Sequence, residues 1–286
     1  MSSTSTSWTV DTNTDSSVAS APSWTVDTNT DSSVASSPTW KIEANTSAYS
    51  ELSTYSVLFD GSDDYIAIGS VLGMDDTDDP FSISFWIKFN SMDHAKPAWR
   101  GAVGTNNPNI GFLFSPSGAS GSLRLVVGKY GVGEIKKQYD IDYSTGVWYH
   151  FVGTYDGSGG DATSAAGLEV YQNSNKLTAD STSATTGTIT SINSGYNWVI
   201  SAEQDSGRVN GYIDEFAIWG SVISQGNVNS LYNNGKQADA SNIVSSSLKC
   251  YYKLEEGTGT TATDSSGQGN NGTLTNDPIW VEETPY

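Results

Sequence analysis

Apolar and polar residues alternate along short stretches of the chain from Tyr49 onward. The clearest stretch is FSISFWIKF at residues 81–89, where one face carries Phe81, Ile83, Phe85, Ile87 and Phe89 and the other carries Ser82, Ser84, Trp86 and Lys88. Similar stretches are YSVLF, YIAIG, IGFLFS, SLRLVVGK, VWYHFVGTYD, LEVYQNS, YNWVISAE and GYIDEFAIW, and turn residues such as DGS, SPSG and NSN separate them. Because alternate side chains of a strand point to opposite faces, this pattern predicts many short strands in a two-sheet sandwich.

One stretch has a helical period instead. In SQGNVNSLYNNG, the apolar residues Val228, Leu231 and Tyr232 stand at i, i+3 and i+4. Ser224 precedes them as a candidate N-cap, and Gly235 follows as a candidate stop. The sequence therefore predicts one short helix, after which KCYYKL returns to the strand pattern.

Residues 1–48 form an arm that is rich in Ser and Thr and carries a tandem repeat. A 16-residue unit, SWTVDTNTDSSVAS with the following dipeptide, occurs twice, and its copies differ only at Ala21 and Ser37. A degraded third copy, TWKIEANTS, begins at Thr39. The Trp-x-Val pattern places its apolar side chains on one face of an extended strand, and these candidate anchors are Trp8, Val10, Trp24, Val26 and Trp40.

So few apolar side chains cannot offset the entropy that the arm loses when it becomes ordered. The arm is therefore either unordered when free, or ordered by a partner surface or by copies of itself. A flexible leader is one interpretation. A Trp that is repeated in register favours the other interpretation, in which each copy docks by adding a strand to a partner.

The charge of the chain excludes some partners. Lys plus Arg number 13 against 32 Asp plus Glu, which gives a formal net charge of −19. Phosphates and anionic lipids would repel such a chain, so we expect neither nucleic acid binding nor membrane insertion. The start, MSSTSTSW, has neither the basic nor the apolar region of a secretory signal peptide, and no apolar run approaches the length of a membrane span. The single cysteine, Cys250, excludes an internal disulfide.

Five motifs, in this order, carry a family resemblance: VLFDGSDDYIAIG, FSISFWIKF, WYHFVGTYDGS, LEVYQNSNKL and GYIDEFAIWGSVIS. Together they resemble the laminin-G-like branch of the concanavalin A-like lectin/glucanase superfamily over roughly residues 50–286. The resemblance implies an all-β, two-sheet antiparallel jelly-roll sandwich, with one concave and one convex sheet. The expected organisation is an extended N-terminal arm at 1–48, followed by a jelly-roll domain at 49–286 that includes the one short helix.

The order of one motif departs from the family pattern. In many relatives a stretch like YYKLEEGTGTTATDSSGQGNNGTL precedes the FDGSDDY strand, whereas here it stands near the end. We expect residues 246–286 to close the sheet beside the FDGSDDY strand, because Cys250, Tyr252 and Leu254 supply an apolar face. This ending also resembles the ends of lectin-like proteins from tailed bacteriophages.

The superfamily includes glucanases, so the sequence was tested for catalytic groups. A retaining glycosidase needs two carboxyl groups about 5–5.5 Å apart. Asp214 and Glu215 are adjacent on a predicted strand, so we expect them to point to opposite faces and to serve a structural role. The histidines are His94 and His150, and no GxSxG motif is present. The sequence predicts that the protein is not an enzyme.

Calcium is the candidate cofactor, because it takes hard oxygen ligands from loops. Two acidic or amide-rich loops are candidate sites, and they would converge if the C-terminal strand pairs beside FDGSDDY. Their residues are Asp60, Asp63 and Asp64 in the first loop and Asp264, Asn270 and Asn271 in the second. The DDTDD run, with Asp75, Asp76, Asp78 and Asp79, is more typical of a solvated turn. For sugar binding, the weak candidates are Trp99, Tyr196 and Trp198, if they are exposed.

These features predict a non-enzymatic structural protein on the exterior of a tailed-phage particle, as a capsid decoration, a neck or tail fibre, or an adhesin. Its arm would bind other virion proteins or sister chains in a homo-oligomer, and its lectin-like domain would face a cell-surface glycan. The alternatives are a carbohydrate-binding module of a cellular or secreted protein, and an interaction domain without a ligand.

Overall fold

The computed structural model describes residues 53–69, 76, 78–101, 109–117, 120–129, 133–158, 167–184, 196–201 and 207–285. These residues form an all-β, jelly-roll-type sandwich of two antiparallel sheets with one short helix, which confirms the predicted fold class. The arm lies outside the described residues, and with it the predicted anchors Trp8, Val10, Trp24, Val26 and Trp40. Within the described part of the chain, no helix is both long and apolar enough to cross a bilayer.

Every predicted apolar stretch contains a strand, but the structure also has strands that were not predicted, including the nine-residue strand Gly133–Ile141. In chain order the strands are β1 Ser56–Asp60, β2 Tyr65–Gly69, β3 Phe81–Ser91, β4 Ala98–Gly101, β5 Asn109–Ser117, β6 Ser120–Lys129, β7 Gly133–Ile141, β8 Trp148–Tyr155, β9 Leu168–Gln172, β10 Asn175–Lys176, β11 Ser181–Ala184, β12 Trp198–Ile200, β13 Asn210–Trp219, β14 Leu248–Tyr252, β15 Thr261–Ala262, β16 Gly272–Thr275 and β17 Ile279–Val281. The helix α1 spans Gln225–Tyr232. Short 3-10 turns follow it at Asn233–Gly235, Ala240–Asn242 and Ser245–Ser247.

The strands divide between two sheets. The first sheet has the order β10-β9-β8-β3-β13-β1-β17, and β14 pairs with the second half of β13. The second sheet has the order β11-β7-β6-β5-β4-β12-β2-β16-β15. Consecutive strands such as β1 and β2 lie in different sheets, so the chain crosses repeatedly between the two layers.

The sandwich core contains the face of β3 that the alternation predicted. Phe85 meets Phe112 of the opposite sheet edge-on, with ring centroids 5.0 Å apart. Phe114 and Phe151 form a similar pair at 5.0 Å. Five fully or almost fully buried residues of β3 belong to this cluster, namely Phe81, Ile83, Phe85, Ile87 and Phe89. The period of two therefore identified the inner face of this strand correctly.

The outer face of the first sheet is also buried, because α1 packs across it. Val228 and Leu231 of the helix contact Trp219 and Tyr251 in a second apolar cluster. Ser224 caps the helix as predicted, since its hydroxyl accepts a hydrogen bond from the backbone N–H of Asn227 at 3.2 Å. The helix ends earlier than Gly235, because Asn233 adopts the left-handed conformation.

The C-terminal segment joins both sheets beside the FDGSDDY strands. β17 pairs with β1, with Val281 opposite Ser56, and β16 pairs with β2, with Thr273 opposite Ala67. Glu283 then forms an ion pair with Lys88 at 2.5 Å. β1 thus has hydrogen-bonded neighbours on both sides, β13 and β17.

Candidate functional site

The turn between β1 and β2 gathers three carboxylates. One oxygen from each of Asp60, Asp63 and Asp64 lies within 4.8 Å of the other two. The turn is tight because Asp60 accepts a hydrogen bond from the N–H of Ser62 at 2.7 Å, and Asp64 accepts one from the N–H of Asp60 at 2.9 Å. Asp64 is buried, whereas Asp60 and Asp63 are exposed. The first predicted calcium loop therefore has its oxygens close together.

The negative charges of this acidic turn repel one another. Burial raises the pKa of Asp64, and the negative charges of Asp60, Asp63 and Asp277 raise it further, while the hydrogen bond from the Asp60 N–H lowers it. A hard divalent cation with oxygen ligands would relieve this repulsion. Among the described residues, these three carboxylates are a group that could hold such an ion.

The second predicted calcium loop is built differently. The carboxylate of Asp264 accepts hydrogen bonds from three backbone N–H groups, those of Tyr251, Ser266 and Asn270. The side chain of Asn271 accepts one from the N–H of Asp264. These side chains therefore hold the loop in shape through hydrogen bonds with backbone N–H groups.

The predicted convergence of the two loops is wrong. Antiparallel pairing places Thr275 opposite Tyr65 and Thr273 opposite Ala67. Asp64 precedes Tyr65, whereas Asn271 lies beyond the other end of the β2–β16 pair. Closure of the sheet by the C-terminal segment consequently separates the two loops instead of joining them.

The DDTDD run forms a local turn where it is described. The N–H of Asp76 donates to the carboxylate of Asp79 at 3.0 Å, and Asp76 and Asp78 are exposed. Asp75 lies outside the described residues. A solvated turn is what the sequence predicted for this run.

The aromatic residues considered for sugar binding do not form an exposed platform. Trp99 is 3% exposed and lies under the amine of Lys96, and Trp198 is 1% exposed and packs edge-on against Phe81 in the core. Tyr196 is partly buried, and its carbonyl accepts a hydrogen bond from Arg100 at 3.0 Å. Sugar binding by these residues requires exposed rings. Neither tryptophan has an exposed ring, because both pack against neighbouring residues.

Asp214 and Glu215 lie on the same side of the first sheet, which corrects the expectation of opposite faces. A bulge in β13 shifts the register against β3 between Asp214 and Ala217, and Glu215 adopts a left-handed φ of 49°. Ile213 and Phe216 both point into the core as a result. The carboxyl groups of Asp214 and Glu215 are left together on the outer side.

Both carboxyl groups are engaged with neighbours. Asp214 is fully buried and accepts hydrogen bonds from Gln237 at 2.5 Å, from Ser53 at 3.2 Å and from the N–H of Glu215 at 2.9 Å. Glu215 accepts the hydroxyl hydrogen of Tyr251. This arrangement suits a structural role for both residues.

A third carboxylate, Glu255, completes this group and was missed by the sequence analysis. Glu255 accepts hydrogen bonds from the N–H groups of Thr54 and Tyr55 at 2.8 and 3.2 Å, and it also contacts the hydroxyl of Ser53. We call Asp214, Glu215 and Glu255, with the bound segment Ser53–Tyr55, the junction cluster. Ser53 and Asp214 are 161 residues apart in the chain, so no local motif signals this contact.

Burial dominates the electrostatics of the junction cluster. It raises the pKa of Asp214 well above the usual range, and the charges of Glu215 and Glu255 act in the same direction. Burial also raises the pKa of Glu215 to about 8, although the Tyr251 hydroxyl and Lys253 oppose this shift. Asp214 and Glu215 therefore retain protons at neutral pH, which reduces the cost of burying their carboxyl groups together.

His150 lies beneath the helix and lacks the features of a catalytic base. Burial lowers its pKa to about 3, so the ring is neutral at physiological pH. Its Nε2 lies 2.8 Å from the hydroxyl of Ser84, but its Nδ1 has no partner among the described residues. No carboxylate orients this ring, in contrast to a Ser-His-Asp triad.

Comparison with known proteins agrees with the fold. A family model for the concanavalin A-like lectin/glucanases superfamily, of the laminin G type, matches residues 60–229. The chain belongs to this superfamily. The match ends within α1, so the C-terminal segment that closes both sheets lies beyond it. No curated protein matches the chain significantly.

Several solved structures are similar to the chain at low sequence identity. A proposed carbohydrate-binding protein from Bacteroides ovatus superimposes with a TM-score of 0.50 at 18% identity, over 80% of this chain and 62% of that one. A SAP-like pentraxin from Limulus polyphemus reaches 0.42 at 15% identity, over 63% and 82%. Domain 4 of an extracellular arabinanase from Geobacillus stearothermophilus, solved with arabinotriose, reaches 0.40 at 17% identity, over 62% and 76%. The likeness to the first of these structures supports the sandwich fold of the chain.

Proposed function

We propose that this chain is a non-enzymatic structural protein on the exterior of a tailed-phage particle. In this proposal the arm, residues 1–48, binds other virion proteins or sister chains, and the jelly roll displays a lectin-like surface toward a cell-surface glycan. The proposal includes a capsid decoration, a neck or tail fibre, and an adhesin.

The observation that carries the proposal is the junction cluster. It binds the backbone of Ser53–Tyr55, just where the chain passes from the arm side into β1. β1 in turn pairs with β13 and β17, so it is hydrogen-bonded on both sides. If the arm is anchored, a pulling force on the domain passes through this segment into β1. β1 is suited to this because it is not an edge strand and is hydrogen-bonded on both sides.

The repeat supports the anchoring role. Each Trp-Thr-Val-Asp copy has the backbone groups to extend a partner's sheet and one apolar face to fill its pockets. Two close copies and a third degraded one provide several weak contacts per chain, and linked weak contacts multiply in affinity.

The absence of catalysis is part of the proposal. Asp214 and Glu215, the best acidic pair in the sequence, are bound by neighbours and retain protons at neutral pH. A retaining glycosidase needs one ionised nucleophile and one acid, both facing the sugar. In the same proposal, Asp60, Asp63 and Asp64 hold one calcium ion.

A carbohydrate-binding module of a cellular or secreted protein is the second candidate function. Family membership favours it as much as it favours a phage lectin, because both would share the fold. The arm would then be a linker, with no partner of its own. The two candidates differ in what the repeated tryptophans do.

The test is the solution mass of the whole chain, measured by light scattering after size exclusion. We expect a defined oligomer for the natural chain, whose monomer mass is 30.4 kDa, and a monomer when Trp8, Trp24 and Trp40 are replaced by Ser. The matched control replaces Thr9 and Thr25, on the opposite strand face, by Ala and should leave the oligomer intact. A monomeric natural chain would exclude self-assembly through the arm and would favour the carbohydrate-binding module.

A further inference from the structure

A polar groove of about 440 Å³ lies between α1 and the turn that joins β9 to β10. Its volume falls within the range of about 300–1,000 Å³ that small-molecule sites occupy. The groove lies on the helix-bearing side of the first sheet, away from the acidic turn. Its lining includes Ser174, Asn175, Gln225, Asn229, Tyr232 and Asn234.

Hydrogen bonds fix the polar wall of the groove. The side-chain amide of Gln225 donates to the carbonyl of Ser174 and to the side-chain oxygen of Asn229, both at 2.8 Å. These two bonds use both amide hydrogens of Gln225. The side-chain oxygen of Gln225 and the side-chain NH₂ of Asn229 have no partner among the described residues. One acceptor and one donor are thus held in place and remain available to a ligand.

Tyr232 supplies a rigid aromatic side to the groove. Its ring stacks on Trp86, with centroids 5.7 Å apart and planes at 20°, and on His150 at 6.2 Å. Trp86 and His150 are buried, so they hold the ring in position. Tyr232 itself is partly exposed, and its hydroxyl has no hydrogen-bond partner in the described part of the chain.

The groove offers amide and hydroxyl groups without a net charge. Lys176 also lines it, but its amine is paired with Glu169. Sugar hydroxyls both donate and accept hydrogen bonds, and so do amide side chains. An acidic sugar would meet no free cation among the lining residues and would be repelled by a chain of net charge −19.

We infer that this groove binds a neutral mono- or disaccharide through Gln225, Asn229 and Tyr232. The inference rests on the proposed lectin function and names where the sugar is held. Asn175 and Asn234 also line the groove, and a second sugar unit would contact them. Because Gln225 and Asn229 are already oriented, binding costs little side-chain ordering.

The test uses saturation-transfer NMR on the full chain with the methyl glycosides of glucose, galactose, mannose and N-acetylglucosamine. We expect at least one of them to receive saturation. Replacing Gln225 and Asn229 together by Ala should weaken its binding about tenfold or more, because two hydrogen bonds are lost. Tyr232→Phe keeps the stacked ring and should weaken binding about threefold.

The matched control is Asn242→Ala, which removes another exposed asparagine and should bind like the natural chain. Dispersed methyl resonances will show that each variant is folded. Binding that survives the double substitution would place the sugar elsewhere and overturn the groove assignment, while the lectin function would stand. If only the methyl glycoside of glucuronic acid, an acidic sugar, binds, the groove assignment is also overturned. If no glycoside binds, both the groove and the glycan part of the proposed function fail, and the light-scattering test of the arm is unaffected.

Discussion

The acidic turn and the junction cluster each gather three carboxyl groups, but their surroundings differ. In the acidic turn, Asp60 and Asp63 are exposed and the carboxylates contact mainly their own turn. In the junction cluster, Asp214 is fully buried and Glu255 binds the backbone of a distant segment. Exposed carboxylates within one turn are suited to a cation, whereas buried carboxyls that bind distant segments stabilise the fold. Burial and partners, more than residue type, separate the two roles.

The largest effect should come from removing the buried carboxyl of the junction cluster. Asp214→Ala leaves Gln237 and the N–H of Glu215 without their acceptor. We expect the free energy of unfolding to fall by about 3 kcal/mol, because buried polar groups lose their partners. Urea unfolding in EDTA measures this change. The control Asp63→Ala, in the acidic turn, should stay within about 0.5 kcal/mol, and equal losses in both variants would contradict the distinction.

The second effect is a faster amide exchange confined to Thr54 and Tyr55, just before β1. Glu255→Ala removes the acceptor for the N–H groups of Thr54 and Tyr55. We expect their amide hydrogens to exchange at least about tenfold faster, which corresponds to roughly 1.4 kcal/mol of local protection. Hydrogen exchange followed by NMR measures this rate. Glu256→Ala is the neighbouring control, and unchanged protection in Glu255→Ala would show that the junction cluster does not hold the segment.

A third effect concerns pH. Burial raises the pKa of Glu215 from 4.5 to about 8 and that of Asp214 above its usual range, so the folded chain binds more protons than the unfolded chain. This contribution to stability is complete below about pH 4.5 and is lost as pH rises through about 8. We expect the free energy of unfolding to fall between pH 5 and pH 8.5. Urea midpoints across this range will test it, and Glu215→Gln should flatten the profile. A free energy of unfolding that stays constant or rises between pH 5 and pH 8.5 would contradict the assignment.

The smallest effect should appear at the acidic turn. Calcium at about ten times its dissociation constant would stabilise the chain by roughly 1.4 kcal/mol through binding to the folded state. Asp60→Asn and Asp64→Asn should each abolish the increase in Tm that calcium causes. Asp76→Asn, in the other acidic turn, should keep it. A natural chain whose Tm is the same in calcium and in EDTA would show that the acidic turn is a solvated turn.

The sequence alone determined those features that depend on neighbours within a few residues. The alternation in β3 identified its inner face, because strand geometry has a fixed period of two. Ser224 and the i, i+3 spacing of Val228 and Leu231 located α1, because a helix cap and the helical period also depend on nearby residues. The carboxylates of Asp60, Asp63 and Asp64 come together because one tight turn contains all three.

Only the tertiary structure decided the contacts between distant segments. The bulge in β13 moved Glu215 to the side of Asp214, and the register of β16 separated the two predicted calcium loops. Which strands become neighbours also decided three further features. They are the burial of Trp99 and Trp198, the binding of Ser53–Tyr55 by Glu255, and the groove beside Gln225 and Ser174. Such contacts follow from strand register and sheet order, and a shift of one residue in register exchanges the two faces of a strand.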